Sequence, residues 1–95
     1  MIRKVVFYTG RVQGVGFRFT TANLARRFEV AGYVQNLDDG RVRLDVQGEA
    51  DQVAGLIDAV AQTMAHHITA QDATDYPPGP AMGDPTSGNA FAIRR

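Results

Sequence analysis

The sequence predicts an α+β fold in which an antiparallel sheet carries two α-helices on one face. Two observations support this class. Short runs of β-branched and aromatic residues occur early, in the middle and late in the chain. Two longer segments between them repeat apolar residues at the spacing of an amphipathic helix. The length of 95 residues and the hydrophobic share of 44% predict a single domain, residues 1–95, with an ordinary core.

The first half of the chain predicts a strand, a helix and a hairpin. Residues 5–8 are continuously apolar, which is typical of a central strand that is buried on both faces. From Phe17 the apolar residues follow helical spacing, and we expect this unit to end at Gly32. Residues 33–36 and 41–47 predict two strands, and the Asp-Gly pair between them is typical of a hairpin turn.

The second half predicts another helix and a weaker set of strands. The later hairpin strand alternates apolar and polar residues, so we expect one face in the core and the other wet or ion-paired. A helix follows over residues 53–64, then a weak strand over 68–76, a Pro/Gly-rich loop over 77–89 and a short strand over 91–93. This βαββαβ order, with one small extra strand, is that of the ferredoxin-like split βαβ fold. The aromatic residues expected in the core are Phe7, Phe17, Phe28 and Phe91.

The composition excludes several classes of function. The chain has 10 Lys and Arg and 10 Asp and Glu, and general nucleic-acid binders normally carry a basic surplus. It has no cysteine, which excludes disulfides, thiolate metal sites and cysteine nucleophiles. The N-terminal apolar run is too short for a signal peptide, and no segment approaches a membrane span. We therefore expect a cytoplasmic monomer with no nucleic-acid or membrane partner.

The loop between the first predicted strand and helix carries the clearest chemical signal. Residues 10–18 read GRVQGVGFR, and glycines let the backbone N–H groups turn inward where a Cβ would clash. Inward N–H groups at a helix N-terminus form a nest for anions, and Arg18 adds a planar, permanently charged fork. A plain tight turn is the alternative, but the pattern favours a phosphate site. The Gly-Lys-Ser/Thr of a nucleotide P-loop is absent.

This loop resembles the signature of the acylphosphatases over its whole length. A second block, residues 32–36 followed by 39–42, is also similar to that family. The similarity runs from about residue 5 to about residue 64, and the ending 91–93 fits as well, whereas residues 65–89 match poorly. Two matched blocks at the family's separation are a more specific signal than one glycine-rich loop.

The resemblance implies both an activity and its residues. The activity is metal-independent hydrolysis of a small acyl phosphate to a carboxylate and inorganic phosphate. The resemblance implies that Arg18 holds the phosphate together with loop N–H groups and that Asn36 orients the attacking water. The residues that it assigns to phosphate binding are Gln13, Gly14, Val15, Gly16, Phe17 and Arg18.

Other phosphate chemistries fit the residues less well. Val12 stands six positions before Arg18, where an arginine-closed loop of a cysteine phosphatase would need its nucleophile. Asp38-Asp39 fall in the predicted turn, and the adjacent His66-His67 do not complete a zinc site. We therefore expect no metal and no cofactor. Direct attack by water remains, and it requires a good leaving group such as a carboxylate.

Two alternatives stay open at this point. Asn36 could serve only as a polar residue that caps a strand before a turn. The chain could also be a non-catalytic ferredoxin-like module that binds an acyl or carbamoyl phosphate, an RNA or a small regulatory ligand. The RNA version is the weakest of these, because the strands lack an aromatic-rich RNP1-like run.

Overall fold

The computed structural model describes all 95 residues and contains one five-stranded sheet covered by two α-helices. In chain order the elements are β1 (Ile2–Gly10), α1 (Phe17–Ala25), β2 (Val30–Asn36), β3 (Val42–Gly48), α2 (Ala50–Thr63), β4 (Ile68–Tyr76) and β5 (Phe91–Arg94). Two short 3-10 turns precede β5. The order of strands across the sheet is β4-β1-β3-β2-β5. The predicted ferredoxin-like arrangement is confirmed, and so is the internal position of β1.

The prediction of a fully antiparallel sheet is wrong at one edge. β1 pairs antiparallel with β3 and β4, and β2 pairs antiparallel with β3. β5 instead pairs parallel with β2, with Gly32 opposite Phe91 and Gln35 opposite Arg94. The reason is the direction of the preceding connection. β4 ends at the side of the sheet where β2 begins, so a chain that crosses along that side enters β5 in the direction of β2.

The core lies between the two helices and one face of the sheet. Alternate strand residues and the apolar stripes of both helices form one buried cluster, whose fully buried members include Val6, Tyr8, Val34, Leu44, Val46, Val53, Leu56 and Val60. Phe17 is buried there, and Phe28 and Phe91 pack half-buried against the cluster. The prediction for Phe7 is wrong, because strand alternation places it on the opposite face, where the Arg41 guanidinium lies 4.7 Å from its ring. Neither helix is long and apolar enough to cross a membrane.

The polar face of β3 is buried rather than wet. Asp45 has no exposed surface and pairs with Arg3 at 2.8 Å and with Arg43 at 3.4 Å. Gln47 is 2% exposed, and its Nε2 donates hydrogen bonds to the carbonyls of Gly79 and Gly83, at 3.0 and 3.1 Å. Of the two environments expected for this face, wet or ion-paired, the structure shows the ion-paired one. The connection between β4 and β5 is held against this face and covers it.

Gly32 lies inside β2 and does not end the helical unit as the sequence predicts. Its φ is 143°, in the region that favours glycine, and a Cβ at this position would overlap the carbonyl oxygen of Asp45 on the paired strand. The close approach of β2 and β3 therefore requires glycine here. A break in the apolar pattern at Gly32 signals this contact, not a helix end.

We expect Gly32→Ala to lower the free energy of unfolding by about 3 kcal/mol or more, because the new methyl group must push two paired strands apart. Gly40→Ala is the matched control. Gly40 also has a positive φ, of 94°, but a Cβ there meets nothing within 4 Å. The control should cost only about 1 kcal/mol of backbone strain. Urea midpoints of both variants test this, and equal midpoints would contradict the steric account.

Candidate active site

The loop between β1 and α1 is shaped by one buried side chain and two glycines. Val12 has no exposed surface and anchors the loop in the core. Gly14 and Gly16 have φ of 78° and 77°, the left-handed conformation that favours glycine. Phe17 begins α1 and packs on Tyr8 of β1, with ring centroids 5.0 Å apart. These contacts fix the position of the helix N-terminus relative to the sheet.

The backbone N–H groups of this loop are unpaired. From Gln13 to Phe19 none of them donates a hydrogen bond to another group of the protein, and the first helical bond runs from the Thr20 N–H to the Gly16 carbonyl at 2.9 Å. Gly16 is the N-cap residue, and no side chain caps this end. Free N–H groups and the positive end of the helix dipole attract an anion. The local geometry is therefore that of an anion-binding helix N-terminus.

A cleft of about 360 Å³, here called the central cleft, lies against this helix end. The predicted site residues that line it are Gly14, Gly16, Phe17, Arg18 and Asn36. Gln13 lines an adjoining cavity, here called the polar cleft, together with Leu37 and Asp38. Val15 lines neither and is 37% exposed. The structure thus brings Arg18 and Asn36 to the same cleft, although 18 positions separate them in sequence.

Arg18 is held in place by β5. Its Nη1 donates a hydrogen bond to the Arg94 carbonyl at 3.1 Å, and its side chain is half-buried. A guanidinium carries five N–H donors, so this single bond leaves donors free for an anion. The cation also stands at a helix N-terminus, where it opposes the helix dipole. An anion bound between the two would relieve that repulsion.

Asn36 is the last residue of β2 and is half-buried. Its Oδ1 is buried and accepts no hydrogen bond from the protein. The reading of Asn36 as a turn cap finds no support in this geometry. The neighbouring turn is instead closed by Asp39, which accepts the Arg41 backbone N–H at 3.1 Å and the Arg41 Nε at 2.8 Å. Those two bonds lower the pKa of Asp39.

The Gln13 side chain ties the loop to this turn. Its Nε2 donates to the carbonyls of Leu37 and Arg41, at 2.7 and 3.0 Å. These two carbonyls lie at the two ends of the turn that follows Asn36. The loop and the end of β2 are therefore held at a fixed separation across the site. The sequence assigns only the backbone of Gln13 to the site, and the structure gives its side chain a positioning contact.

Several residues of the cleft were missed from the sequence. Phe19, Ile93 and Arg95 line it, and two of them come from β5 and the residue after it. The pattern of β5 predicts a strand but not its neighbour. No signal in the sequence could have found these residues, because the predicted antiparallel sheet did not place β5 parallel to β2 with its end beside Asn36.

The other chemical candidates of the sequence do not form a site. No three His, Asp or Glu side chains come together in a group that could hold a metal ion. His66 and His67 follow the C-terminus of α2 in a turn, away from the central cleft. Asp38 lines the polar cleft, beside the turn that the sequence predicts.

Comparison with known proteins gives a consistent result. The family model described as Acylphosphatase matches residues 4–86, which includes most of the segment where the sequence resemblance is poor. An acylphosphatase of Bifidobacterium longum is 48% identical over 61 residues, 64% of this chain and 63% of that protein. An acylphosphatase of Salinibacter ruber is 56% identical over 52 residues, 55% of each chain. These alignments therefore span little more than half of each relative.

A solved structure extends the match to the whole chain. The crystal structure of acylphosphatase from Bacillus subtilis superposes with a TM-score of 0.82 and 27% identity, covering 100% of both chains. The shared sheet and helices include β4 and β5, which lie outside the best-matched sequence blocks. The family model, the relatives and the fold agree, and the chain belongs to the acylphosphatase family.

Proposed function

We propose that this protein hydrolyses small acyl phosphates to a carboxylate and inorganic phosphate by direct attack of water. The observation that carries the proposal is the central cleft, where Arg18, Asn36 and a helix N-terminus with unpaired N–H groups meet. A doubly charged phosphoryl group fits donors of this kind. Membership in the acylphosphatase family supports the same activity.

The loop and Arg18 supply the phosphate-binding part of the mechanism. Backbone N–H groups from Gln13 to Arg18 donate to the phosphoryl oxygens, and the Arg18 guanidinium bonds them from the side of β5. These donors are in place before the substrate arrives, so little reorganisation is needed as charge shifts in the transition state. Neutralising the phosphoryl oxygens also removes the repulsion that an incoming oxygen lone pair would meet.

Asn36 supplies the water. Its buried Oδ1 has no protein donor, and an unpaired buried acceptor costs about 1–3 kcal/mol unless another donor reaches it. Because almost none of this oxygen's surface is exposed, a donor reaches it only when the side-chain amide turns toward the central cleft, which Asn36 lines. A water molecule there can donate to it, whereas a phosphate dianion cannot. Asn36 therefore holds and orients the water, the water oxygen attacks phosphorus, and the P–O bond to the carboxylate breaks. The proton of the attacking water passes to the phosphate or to solvent.

The residues of the cleft favour a weakly basic leaving group. Its lining contains two arginines and one asparagine but no Asp, Glu or His that could donate a proton to a departing alkoxide. A carboxylate leaves without such help. Acyl phosphates are therefore the expected substrates, and alkyl phosphate esters are expected to react very poorly.

The rival is a non-catalytic module that binds an acyl or carbamoyl phosphate. Such a module would share the anion site, but binding alone would not require an unpaired acceptor beside it. The unpaired oxygen of Asn36 therefore favours the catalytic reading over the binding module. A cytoplasmic location, a monomeric state and a single domain stay predictions of the sequence.

Purified protein should release inorganic phosphate from acetyl phosphate in excess chelator, at the same rate as without chelator. Methyl phosphate should give almost no release under the same conditions. Phosphate release is measured against the spontaneous rate. Binding of acetyl phosphate without release would favour the non-catalytic module, and activity that a divalent ion must restore would contradict the metal-free mechanism.

Arg18→Ala should lower kcat/KM for acetyl phosphate by about 10³-fold or more, because it removes a guanidinium from the transferring phosphoryl group. Inhibition by inorganic phosphate should weaken as well. Arg18→Lys should recover only part of the loss, since it restores the charge without the planar fork. Arg27→Ala, an exposed arginine beyond the C-terminus of α1, is the matched control and should be near wild type.

Asn36→Ala should lower kcat severely while inorganic phosphate inhibits with similar affinity, because Asn36 contacts water and not phosphate. The urea midpoint should stay level or rise, since the side chain makes no hydrogen bond within the protein and its oxygen is buried. A turn cap would behave in the opposite way. A lower midpoint with unchanged turnover would therefore move the water-binding role to another residue.

A further inference from the structure

Three adjoining cavities form a row across one side of the molecule. The polar cleft and the central cleft share Arg18, Asn36 and Arg95. The central cleft in turn shares Phe19 and Ile93 with a third cavity of about 350 Å³, here called the apolar groove. The polar cleft and the apolar groove share no residue. The central cleft therefore lies between the other two cavities.

The apolar groove runs between α1 and β5. Eight of its thirteen lining residues are hydrophobic, among them Ala22, Ala25, Phe28, Val30 and Phe91, and Asn23, Arg26 and Asn89 line it as well. Phe19 and Ile93 stand where it meets the central cleft, and they are 66% and 45% exposed. Both are large apolar side chains in contact with water, and neither belongs to the buried core cluster. Their place at the mouth of an anion site points to a ligand with a charged end and an apolar end.

The direction of attack selects which end of the substrate faces the groove. Asn36 lines the polar cleft and the central cleft but not the apolar groove. Water held by Asn36 approaches phosphorus from that side. In an in-line displacement the leaving oxygen departs on the opposite side of phosphorus. The leaving carboxylate, with its acyl chain, is thus directed away from Asn36 and toward the apolar groove, which Asn36 does not line.

We propose that the apolar groove binds the acyl group of the substrate, so that the enzyme prefers acyl phosphates with medium-length aliphatic acyl chains over acetyl phosphate. This inference rests on the proposed function and names its substrate class. An acetyl group has one carbon beyond the carboxylate and offers little apolar surface to Phe19 and Ile93. A six-carbon chain adds four methylene groups, which the cavity of about 350 Å³ can accommodate.

Hexanoyl phosphate and acetyl phosphate are the probes. Both release simple alkanoate ions of nearly equal basicity, so a difference in their kcat/KM reports contacts of the chain and not intrinsic reactivity. Wild-type protein should use hexanoyl phosphate about tenfold better, which is the scale expected when a few methylenes leave water in a partly open groove. Phe19→Ala should remove most of this preference, so that its ratio of kcat/KM for hexanoyl phosphate to kcat/KM for acetyl phosphate falls close to one.

Two further variants complete the experiment. Tyr76→Ala is the matched control, because it removes a 43% exposed aromatic ring on β4, outside all three cavities, and should keep the preference. Ala22→Glu places a charge in the groove and should abolish the preference without loss of acetyl phosphate hydrolysis. Equal use of the two substrates by wild type, or equal ratios in Phe19→Ala and Tyr76→Ala, would overturn the groove assignment alone. Release of phosphate from neither substrate would overturn the proposed function and, with it, the acyl-group assignment.

Discussion

The parallel pairing of β5 with β2 is the interaction on which the central cleft depends. It brings the end of β5 beside the end of β2, so that Ile93 stands near Asn36. The Gln35 Nε2 donates to the Arg95 carbonyl at 2.7 Å, and the Arg94 guanidinium lies 3.8 Å from the centre of a β2 aromatic ring. With the end of β5 fixed in this way, the Arg94 carbonyl is positioned to hold the arginine of α1. This edge of the sheet thus positions the end of β2, the end of β5 and the Arg18 side chain around the central cleft.

The site combines unpaired donors with one unpaired acceptor. Proteins pair nearly all buried polar groups, so the free buried oxygen of Asn36 is costly and calls for a donor, whereas the loop N–H groups stay open to a ligand. The loop N–H groups suit an anion, and the Asn36 Oδ1 suits a hydrogen-bond donor. An anion and a water molecule placed side by side satisfy both sets at once. Together, the free donors and the free acceptor match both reactants of a hydrolysis, an anionic substrate and a water molecule.

The sequence was sufficient wherever a local pattern decided the outcome. Helical spacing predicted both helices, an Asp-Gly pair predicted the turn closed at Gly40, and the glycine loop with Arg18 predicted residues that meet at the central cleft. It failed where the outcome depends on a partner far along the chain. Nothing in residues 91–93 indicates a parallel neighbour, and the burial of Gln47 comes from a connection more than 30 residues later. Phe19 looks like an ordinary helical residue until β5 creates a groove beside it.

The same long-range pairing also orders the events of folding. β1, β2 and β3, with their helices, can assemble from residues that lie within the first two thirds of the chain. The bond from Arg18 to the Arg94 carbonyl closes a loop of 76 positions, and closure of so long a loop follows the local pairings on which it depends. A chain that has formed its core but not β5 would thus be compact, with an open phosphate loop and no cleft. The central cleft is in this sense a late feature of the fold, completed when the final strand joins the sheet.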